Sequence, residues 1–359
     1  MRRRAGCSLV VGLALVGLLL ASAPGCGPRG KTPLRVLMAG SLLVPFDALE
    51  AAYEQTHPDV DVQMEGHGSI QVIRHVTEIH ELVDVVVTAD HALIPLLMYS
   101  TTDADTGRPY ADWYIEFATN RLTLAYTDQS AYADEVTPGN WTEVLARPGV
   151  RLGLPDPRFD AAGYRGLMAL QLAELDGGDP LVFEDFTMGR FTSGIVAREE
   201  AGRWVIHIPE VVEPKPDSGI IVRGGSVHLI ALLESGDVDY AFEYESVARQ
   251  HGFHTIALPD AINMGNEAQA ARYAQVEVQL DFQRFASVTP VFQGAVIGYG
   301  VTIPSNAPQR EEAEEFVAFL LSEEGQRIME ANHHPLIPAR ADGYERVPER
   351  LRTLCTPMP

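Results

Sequence analysis

Short apolar runs alternate with amphipathic segments along the first third of the chain. The runs at Leu34–Met38, Val60–Met64 and Asp84–Thr88 are rich in branched apolar residues, which is typical of buried parallel strands. Between them, Phe46–His57 and Ser69–His80 carry apolar residues at helical spacing. This strand–helix–strand–helix–strand order predicts a first lobe of the α/β class with a parallel sheet.

Two later apolar runs predict connections between lobes. Tyr114–Tyr126 is too long for one ordinary strand, and Gly294–Ile303 predicts a second long strand. We interpret them as crossovers that lead from the first lobe into a second lobe and back. Helices predicted at Glu311–Leu321 and Ser322–Ala331 then pack against the first lobe. The predicted division is lobe 1 at 34–118 and 296–345, lobe 2 at 119–295, and a C-terminal tail at 346–359.

Between the crossovers the pattern predicts a second α/β lobe. Its regular elements are a strand at Val150–Leu154, a helix at Ala161–Leu175, a helix at Val227–Glu234 and a strand at Val238–Tyr244. Asp160 stands at the N-cap position of the first of these helices. Residues 177–218 contain Gly-Gly and several prolines, so we expect a loop-rich excursion with one strand near Trp204–Ile208.

Four predicted helices begin with similar chemistry. The starts are Gly40-Ser41 and Gly68-Ser69 in lobe 1, and Asp160-Ala161-Ala162 and Gly225-Ser226 in lobe 2. A helix start has free backbone N–H groups and the positive end of the helix dipole, which favour an anion. Ligands of open α/β sheets bind outside the carboxyl ends of the strands, so two facing lobes would bring these starts to one cleft and close on a ligand. Ordinary helix caps explain the same residues, and both interpretations stay open.

The sequence pattern places no Lys or Arg near these starts, and the chain as a whole is acidic. The formal net charge is −22, and it becomes −25 without Arg2, Arg3 and Arg4. Such a charge argues against nucleic acid and against an anionic membrane surface as partners. We therefore expect dipoles and hydroxyl groups, rather than cations, to hold any bound anion.

The first residues have the pattern of a bacterial export signal. A basic stretch at Arg2–Arg4 is followed by an apolar stretch at Ser8–Leu20, too short for a comfortable membrane span, and by small residues at Ala21–Cys26. We predict a signal at 1–25, a linker at 26–33, and export to the periplasm or the cell surface. Cys26 is a candidate for lipidation, which would anchor the chain to the inner or outer membrane; ordinary cleavage near Ala23 is the alternative.

No motif of an enzyme or of a resident metal site is evident. The chain has Cys7, Cys26 and Cys355 without CxxC or Cys/His spacing, so neither a zinc site nor a disulfide framework is indicated. It has no GxSxG elbow and no HExxH motif, which argues against an extracellular hydrolase. We expect His333 and His334 to lie in a solvated turn rather than to bind a metal. The sequence therefore predicts a monomeric protein without a cofactor that is not an enzyme.

Ordered blocks of sequence run in one series from Leu34 to Ala341. Among them are AGSLLVPF from Ala39, GSIQVIR from Gly68, DAAGYRGLMALQLAEL from Asp160 and LLESGDVDY from Leu232. In this order the chain resembles the archaeal-type tungstate/molybdate-binding component of an ABC importer, a class II periplasmic binding protein. The resemblance implies two lobes, each a mixed, mainly parallel sheet flanked by helices, with the oxyanion in the cleft between them.

The resemblance also implies a set of residues around the oxyanion. Serine hydroxyls, residues at helix starts and a tyrosine would bind its oxygens, and they correspond to Ser41, Ser69, Ala162, Ser226, Val227 and Tyr244. Two carboxylates would approach tungsten or molybdenum itself and extend its coordination. Asp160 corresponds to the first, but the second falls at Ser226, so six-, five- and four-coordinate sites all stay open. Glu243 lies beside Tyr244, yet alternation along a strand predicts that it points to the opposite face and does not replace the missing carboxylate.

The leading functional hypothesis is therefore capture of tungstate or molybdate for ABC import, with a membrane permease and its cytoplasmic ATPase as partners. A phosphate- or sulfate-binding protein is the alternative within the same class, and an extracellular hydrolase or a sensor without a transport role belongs to other classes. Asp160 bears on this choice, because a carboxylate beside a charged oxyanion is repulsive unless it binds the metal or accepts a proton. Binding of the metal by Asp160 suits tungstate, and acceptance of a proton suits monohydrogen phosphate. If Asp160 is only an N-cap, its presence points to neither anion.

Overall fold

The structure is a computed structural model that describes residues 30–177, 179–282 and 290–359. These residues form a mixed α/β fold with a seven-stranded, a five-stranded and a four-stranded sheet. The predicted export signal at 1–25 lies outside them, and so does Cys26. Within the described ranges, no helix combines the length and the apolar character that a membrane crossing requires.

The strands and helices have the following bounds. The strands are β1 (Thr32–Ala39), β2 (Val60–His67), β3 (Val85–Thr88), β4 (Tyr114–Thr119), β5 (Leu122–Tyr126), β6 (Leu152–Pro155), β7 (Val196–Glu200), β8 (Arg203–Ile208), β9 (Ile220–Arg223), β10 (Tyr240–Tyr244), β11 (His254–Ile256), β12 (Val276–Leu280), β13 (Val291–Gln293), β14 (Gly298–Thr302), β15 (Leu336–Asp342) and β16 (Thr356–Pro357). The α-helices are α1 (Leu43–Thr56), α2 (Ser69–Thr77), α3 (Trp141–Leu145), α4 (Ala161–Leu175), α5 (Val182–Thr187), α6 (Val227–Ser235), α7 (Glu245–Gln250), α8 (Ala270–Tyr273), α9 (Arg310–Leu321), α10 (Glu323–Ala331) and α11 (Glu349–Arg352). Short 3₁₀ segments lie at Gly40–Leu42, Glu267–Gln269 and Tyr344–Arg346, and Ile94–Tyr99 forms a π-helical turn.

The seven-stranded sheet combines the two ends of the described chain, and we call its region lobe 1. Its strand order is β16-β15-β4-β14-β3-β1-β2. β1 lies parallel to both β2 and β3, as the alternation of strands and helices predicts, whereas β14 is antiparallel to β3 and β4. The segment that we separated as a C-terminal tail contributes α11 and β16 to this region, and its Leu351 is fully buried.

The five-stranded sheet carries one long helix on each face, and we call its region lobe 2. Its order is β11-β5-β10-β6-β9, with β6 parallel to both β10 and β9. Gly166 of α4 packs against Phe242. Leu229 of α6 packs instead against Gly153, and Leu229 and Ala241 belong to a separate apolar cluster. Neighbouring residues of β10 therefore face different helices, as strand alternation requires.

Two connections join these sheets where the sequence predicts crossovers. Tyr114–Tyr126 divides into β4 of the seven-stranded sheet and β5 of the five-stranded sheet. The long strand predicted at Gly294–Ile303 is wrong in extent, because only Gly298–Thr302 forms β14. Before it, the amide of Gly294 donates to the carbonyl of Val276 in β12 and so continues the pairing of β13 with β12, while residues 294–297 belong to no strand. The numerical lobe boundaries stay a prediction.

The four-stranded sheet, β13-β12-β8-β7, is the part of the fold that the sequence pattern misses. The strand expected near Trp204–Ile208 is present as β8, but the same supposedly loop-rich stretch also forms α5 and β7. β8 pairs antiparallel with β7 and parallel with β12, whose residues lie far along the chain. Pairing between distant segments leaves no periodic signal in either of them, which explains why this sheet was not predicted.

Candidate functional site

The four predicted helix starts meet in two pairs, each joining lobe 1 to lobe 2. In the first pair, Gly68 lies so close to Phe159 that a Cβ on Gly68 would be 2.4 Å from the Phe159 carbonyl oxygen. The amide of Ile70, in the first turn of α2, donates to the same carbonyl at 3.1 Å. In the second pair, Gly40 lies against Val227, whose Cγ1 would be 2.9 Å from a Cβ at position 40. The lack of a side chain at both glycines is what lets the two lobes approach this closely.

Two buried serines stand at the lobe 1 side of this junction. Ser69 is 1% exposed, and its oxygen accepts a hydrogen bond from the amide of Ala89 at 2.9 Å. Ser41 is also buried, and its Oγ lies 2.9 Å from the hydroxyl oxygen of Tyr299. Asn120 donates to that Tyr299 oxygen at 3.1 Å, so Tyr299 can donate its own proton to Ser41. Both serine O–H groups are then free to donate to an anion.

The carboxylate of Asp160 joins the two helix starts of lobe 2. Its Oδ1 accepts from the amide of Ala162 at 2.8 Å, and its Oδ2 accepts from the amide of Ser226 at 3.0 Å. Asp160 is thus the N-cap of α4, as predicted, and in addition a bridge to the start of α6. The Ala162 amide, which we expected to bind an anion, already donates to this carboxylate. Burial raises the pKa of Asp160, and the two amide donors oppose that rise.

Val227 and Tyr244 complete the predicted set. Val227 is the first residue of α6, so its amide has no acceptor within the helix. Tyr244 ends β10 and is fully buried. The structure therefore brings together Ser41, Ser69, Asp160, Ala162, Ser226, Val227 and Tyr244, while Cys26 lies outside the described residues.

A buried arginine shows that the expectation of a site without cations is wrong. Arg165 is 3% exposed, and its Nη1 donates to the Tyr244 hydroxyl oxygen and to the Ala89 carbonyl, both at 2.7 Å. Its Nη2 lies 3.1 Å from Oδ2 of Asp90, which follows β3 in lobe 1. The helical period accounts for this position, because residue 165 lies one turn after the start of α4. Since a guanidinium only donates, Tyr244 accepts from it and keeps its own proton for another acceptor.

Glu243 also differs from expectation. Its side chain is fully buried, its Oε1 accepts from the amide of Tyr244 at 2.9 Å, and its carboxyl group hydrogen-bonds with the Ser226 hydroxyl. Alternation along β10 does turn it away from Tyr244, but α6 packs on that face and begins beside Ser226. Burial, together with the nearby charge of Asp160, raises the pKa of Glu243 to about 8. Sequence reasoning missed this contact because it considered the strand without the helix that covers it.

The histidine pair near the chain end does not form a solvated turn, since only His333 is exposed. His334 is 1% exposed, and its ring packs edge-on against Tyr299 with the centroids 5.0 Å apart. Neither of its ring nitrogens has a hydrogen-bond partner among the described residues. Burial lowers the pKa of His334 to about 3, so the ring is neutral at pH 7. Over the described ranges, no group of three or more His, Cys, Asp or Glu is arranged to hold a metal ion.

The contact between Arg165 and Asp90 predicts a large effect of substitution. Removing one partner of a buried ion pair leaves the other charge uncompensated, so we expect Arg165→Met to lower the free energy of unfolding by about 3–5 kcal/mol. Adding Asp90→Asn removes the uncompensated charge and restores part of that loss. Urea unfolding of the wild type, both single variants and the double variant measures the coupling. Strictly additive single effects would contradict the ion pair.

His334 predicts that stability falls in acid. The unfolded chain takes up a proton on this histidine near pH 6.5, whereas the folded chain does so only near pH 3. The unfolded state therefore binds more protons between these values, and the free energy of unfolding decreases as the pH drops through this window. We expect His334→Leu to flatten this part of the pH profile in urea unfolding, while the exposed control His333→Asn keeps it. An unchanged acid slope in His334→Leu would refute the prediction.

Comparison with known proteins places these observations in a family. The model of the bacterial extracellular solute-binding proteins matches residues 34–333. An uncharacterized solute-binding protein of Methanoculleus marisnigri is 40% identical over 326 residues, which cover 90% of this chain and 87% of that protein. The molybdate/tungstate-binding protein WtpA of Thermococcus kodakarensis is 37% identical over 363 residues, which cover 96% of each chain. Among solved structures, the periplasmic molybdate-binding protein of Azotobacter vinelandii is similar in fold, with a TM-score of 0.50 at 14% identity over 85% of this chain and 99% of that one.

These relatives confirm the predicted solute-binding fold, with mixed sheets flanked by helices. They are solute-binding proteins rather than enzymes, which confirms that expectation as well. The chain belongs to the bacterial extracellular solute-binding protein family, and within that family it is a relative of the molybdate/tungstate-binding protein WtpA.

Proposed function

We propose that this protein captures tungstate or molybdate outside the cytoplasm and delivers it to the membrane permease and ATPase of an ABC importer. The observation that carries the proposal is the meeting of four helix starts from two lobes around a buried cluster of hydroxyl and carboxyl groups. The 37% identity to the molybdate/tungstate-binding protein WtpA supports the same ligand class. Export by the signal at 1–25, lipidation of Cys26 and a monomeric state complete the proposal.

Donors from both lobes bind the oxygens of the anion in this proposal. Lobe 1 contributes the O–H groups of Ser41 and Ser69, and lobe 2 contributes the Val227 amide and the Tyr244 hydroxyl. Burial raises the pKa of Tyr244 well above its ordinary value, so this hydroxyl stays a neutral donor at physiological pH. Because neither lobe supplies all the donors, an anion binds the closed arrangement better than an open one and shifts the population towards it.

Asp160 distinguishes tungstate and molybdate from other anions. Its carboxylate is buried beside the donors and forms no ion pair within the described residues. A carboxylate in this position repels an anion unless it binds the central atom or accepts a proton. Tungsten and molybdenum accept further oxygen ligands, whereas the sulfur of sulfate does not. We therefore assign Asp160 as a ligand of the metal centre.

Phosphate is the second candidate ligand, and the same carboxylate favours it. Monohydrogen phosphate carries one O–H, which needs an acceptor, and Asp160 is a suitable one. Sulfate has no such proton and would meet only repulsion from Asp160. Comparing the four anions on one protein therefore separates the candidates.

Isothermal titration of residues 30–359 with tungstate, molybdate, sulfate and phosphate tests the proposed function. We expect tungstate and molybdate to bind with a dissociation constant of about 1 μM or tighter, corresponding to about −8 kcal/mol, and the other two anions to bind far more weakly. A clear response to phosphate or sulfate without one to tungstate and molybdate would overturn the proposal. No response to any of the four anions would favour a sensor role without this ligand class.

Closure of the lobes predicts that Gly68→Ala weakens binding. A Cβ at this position would lie 2.4 Å from the Phe159 carbonyl oxygen. Because this oxygen belongs to the backbone, it cannot relieve the clash by a change of rotamer. Such overpacking costs about 1–3 kcal/mol, so we expect the affinity for tungstate to fall by about 5- to 100-fold while each lobe stays folded. Gly224→Ala is the matched control, because nothing lies within 4 Å of a Cβ there. Equal affinities of the two variants in titration calorimetry would argue against closure at Gly68.

Contact of Asp160 with the metal predicts an anion-dependent effect of Asp160→Asn. We expect the affinity for tungstate and molybdate to fall strongly, while the free energy of unfolding falls by about 1–3 kcal/mol, because the buried amide of Ala162 or of Ser226 loses its acceptor. Binding of sulfate should not weaken, since the repulsive charge is removed. A uniform loss for all anions in titration calorimetry would indicate that Asp160 acts only as a cap.

A further inference from the structure

Glu243 is a second buried carboxyl group beside Asp160. It is 1% exposed and forms no ion pair within the described part of the chain. Its hydrogen bonds come from the amide of the next residue, at 2.9 Å, and from the Ser226 hydroxyl. Burying a carboxyl group with so few partners is unfavourable, and a second carboxylate nearby adds repulsion. A position that served packing alone would accommodate an apolar or amide side chain better.

Ser226 connects the two carboxyl groups. Its amide donates to Oδ2 of Asp160 at 3.0 Å, and its hydroxyl group hydrogen-bonds with Glu243. The two acids therefore flank a single residue at the start of α6, one reaching it from α4 and the other from β10. Each carboxyl oxygen has two lone pairs, so these contacts leave acceptor sites free.

Glu243 also lies within reach of lobe 1. Burial raises the pKa of Tyr299, and a charge on Glu243 raises it further. Tyr299 is the lobe 1 residue that contacts the Ser41 hydroxyl. Ser226, whose hydroxyl group meets Glu243, stands at the start of α6 next to Val227, which packs against Gly40 of lobe 1, so Glu243 borders the junction of the lobes where the proposed ligand binds.

Building on the proposed function, we propose that Glu243 contacts the bound oxyanion and, together with Asp160, determines which oxyanion the site accepts. On binding, the carboxyl group of Glu243 releases its proton to solvent, each carboxylate donates an oxygen lone pair to the central atom, and no bond of the anion breaks. Tungsten and molybdenum accept such additional ligands, whereas the sulfur of sulfate accepts none and the sulfate charge is repelled by the Asp160 carboxylate. The pair therefore selects by the chemistry of the central atom, because all tetrahedral oxyanions present similar oxygens to the hydroxyl and amide donors.

Glu243→Gln tests this role, since it keeps the size of the side chain and its hydrogen bonds to Tyr244 and Ser226. We expect the affinity for tungstate and molybdate to fall by about tenfold or more in titration calorimetry, with sulfate binding unchanged or stronger. The control is Glu245→Gln, two residues along the chain, where the carboxylate pairs with Arg249 at 2.5 Å and should not affect binding. Wild-type affinity for tungstate in Glu243→Gln would overturn the proposal and assign Glu243 a structural role. A wild-type protein that binds neither tungstate nor molybdate would refute the proposed function instead.

Ser226→Glu in the Glu243→Gln background separates ligand contact from damage to the fold. The Ser226 side chain already meets Glu243, so a carboxylate at position 226 enters the same space. We expect the double variant to regain tungstate affinity relative to Glu243→Gln, with thermal unfolding confirming that both variants are folded. A folded double variant that binds no better than Glu243→Gln would contradict a direct role of the carboxyl group.

Discussion

The lobe 2 half of the site depends on the carboxylate of Asp160. One oxygen accepts from the first turn of α4 and the other from the start of α6, so a single side chain fixes the relative position of two helix starts. α4 carries Arg165, which reaches Tyr244 and lobe 1, and α6 begins with Val227, which packs against Gly40. The same helix dipoles that would bind an anionic ligand thus already stabilise an internal anion. In the proposed function, selection of the anion and the architecture of lobe 2 would thus be linked through one residue.

Backbone contacts and buried charge join the two lobes at the site. Gly68 packs on the Phe159 carbonyl, and Arg165 spans from α4 to Asp90 and the Ala89 carbonyl. Such contacts form only at short distance and fixed geometry, which suits a closed state that must release its ligand again. Binding energy from donors on both sides is then available to favour closure. An acidic protein can hold an anion by this means, because water is excluded and the donors are already oriented.

Local signals in the sequence are sufficient for the first three strands and the first two helices of lobe 1 and for the start of α4. Apolar periodicity and the cap at Asp160 predict them within a few residues, and the Gly-Ser pairs mark the helix starts that meet at the site. What the sequence does not reveal depends on tertiary contacts. Three features involve partners far apart in the chain: the direction of Arg165, the hydrogen bond between Tyr299 and Ser41, and the four-stranded sheet. Glu243 illustrates the reason: alternation gives its face correctly, but only the packing of α6 shows what that face contacts.

The central claim is that carboxylate oxygens of this protein reach the metal of a bound oxyanion. X-ray absorption at the tungsten edge of the tungstate-loaded protein measures the number and distances of the oxygen neighbours directly. We predict more neighbours than the four oxygens of free tungstate, with the added ones at longer distances and reduced in number in Asp160→Asn. Four neighbours at the distances of free tungstate, unchanged by that substitution, would contradict it.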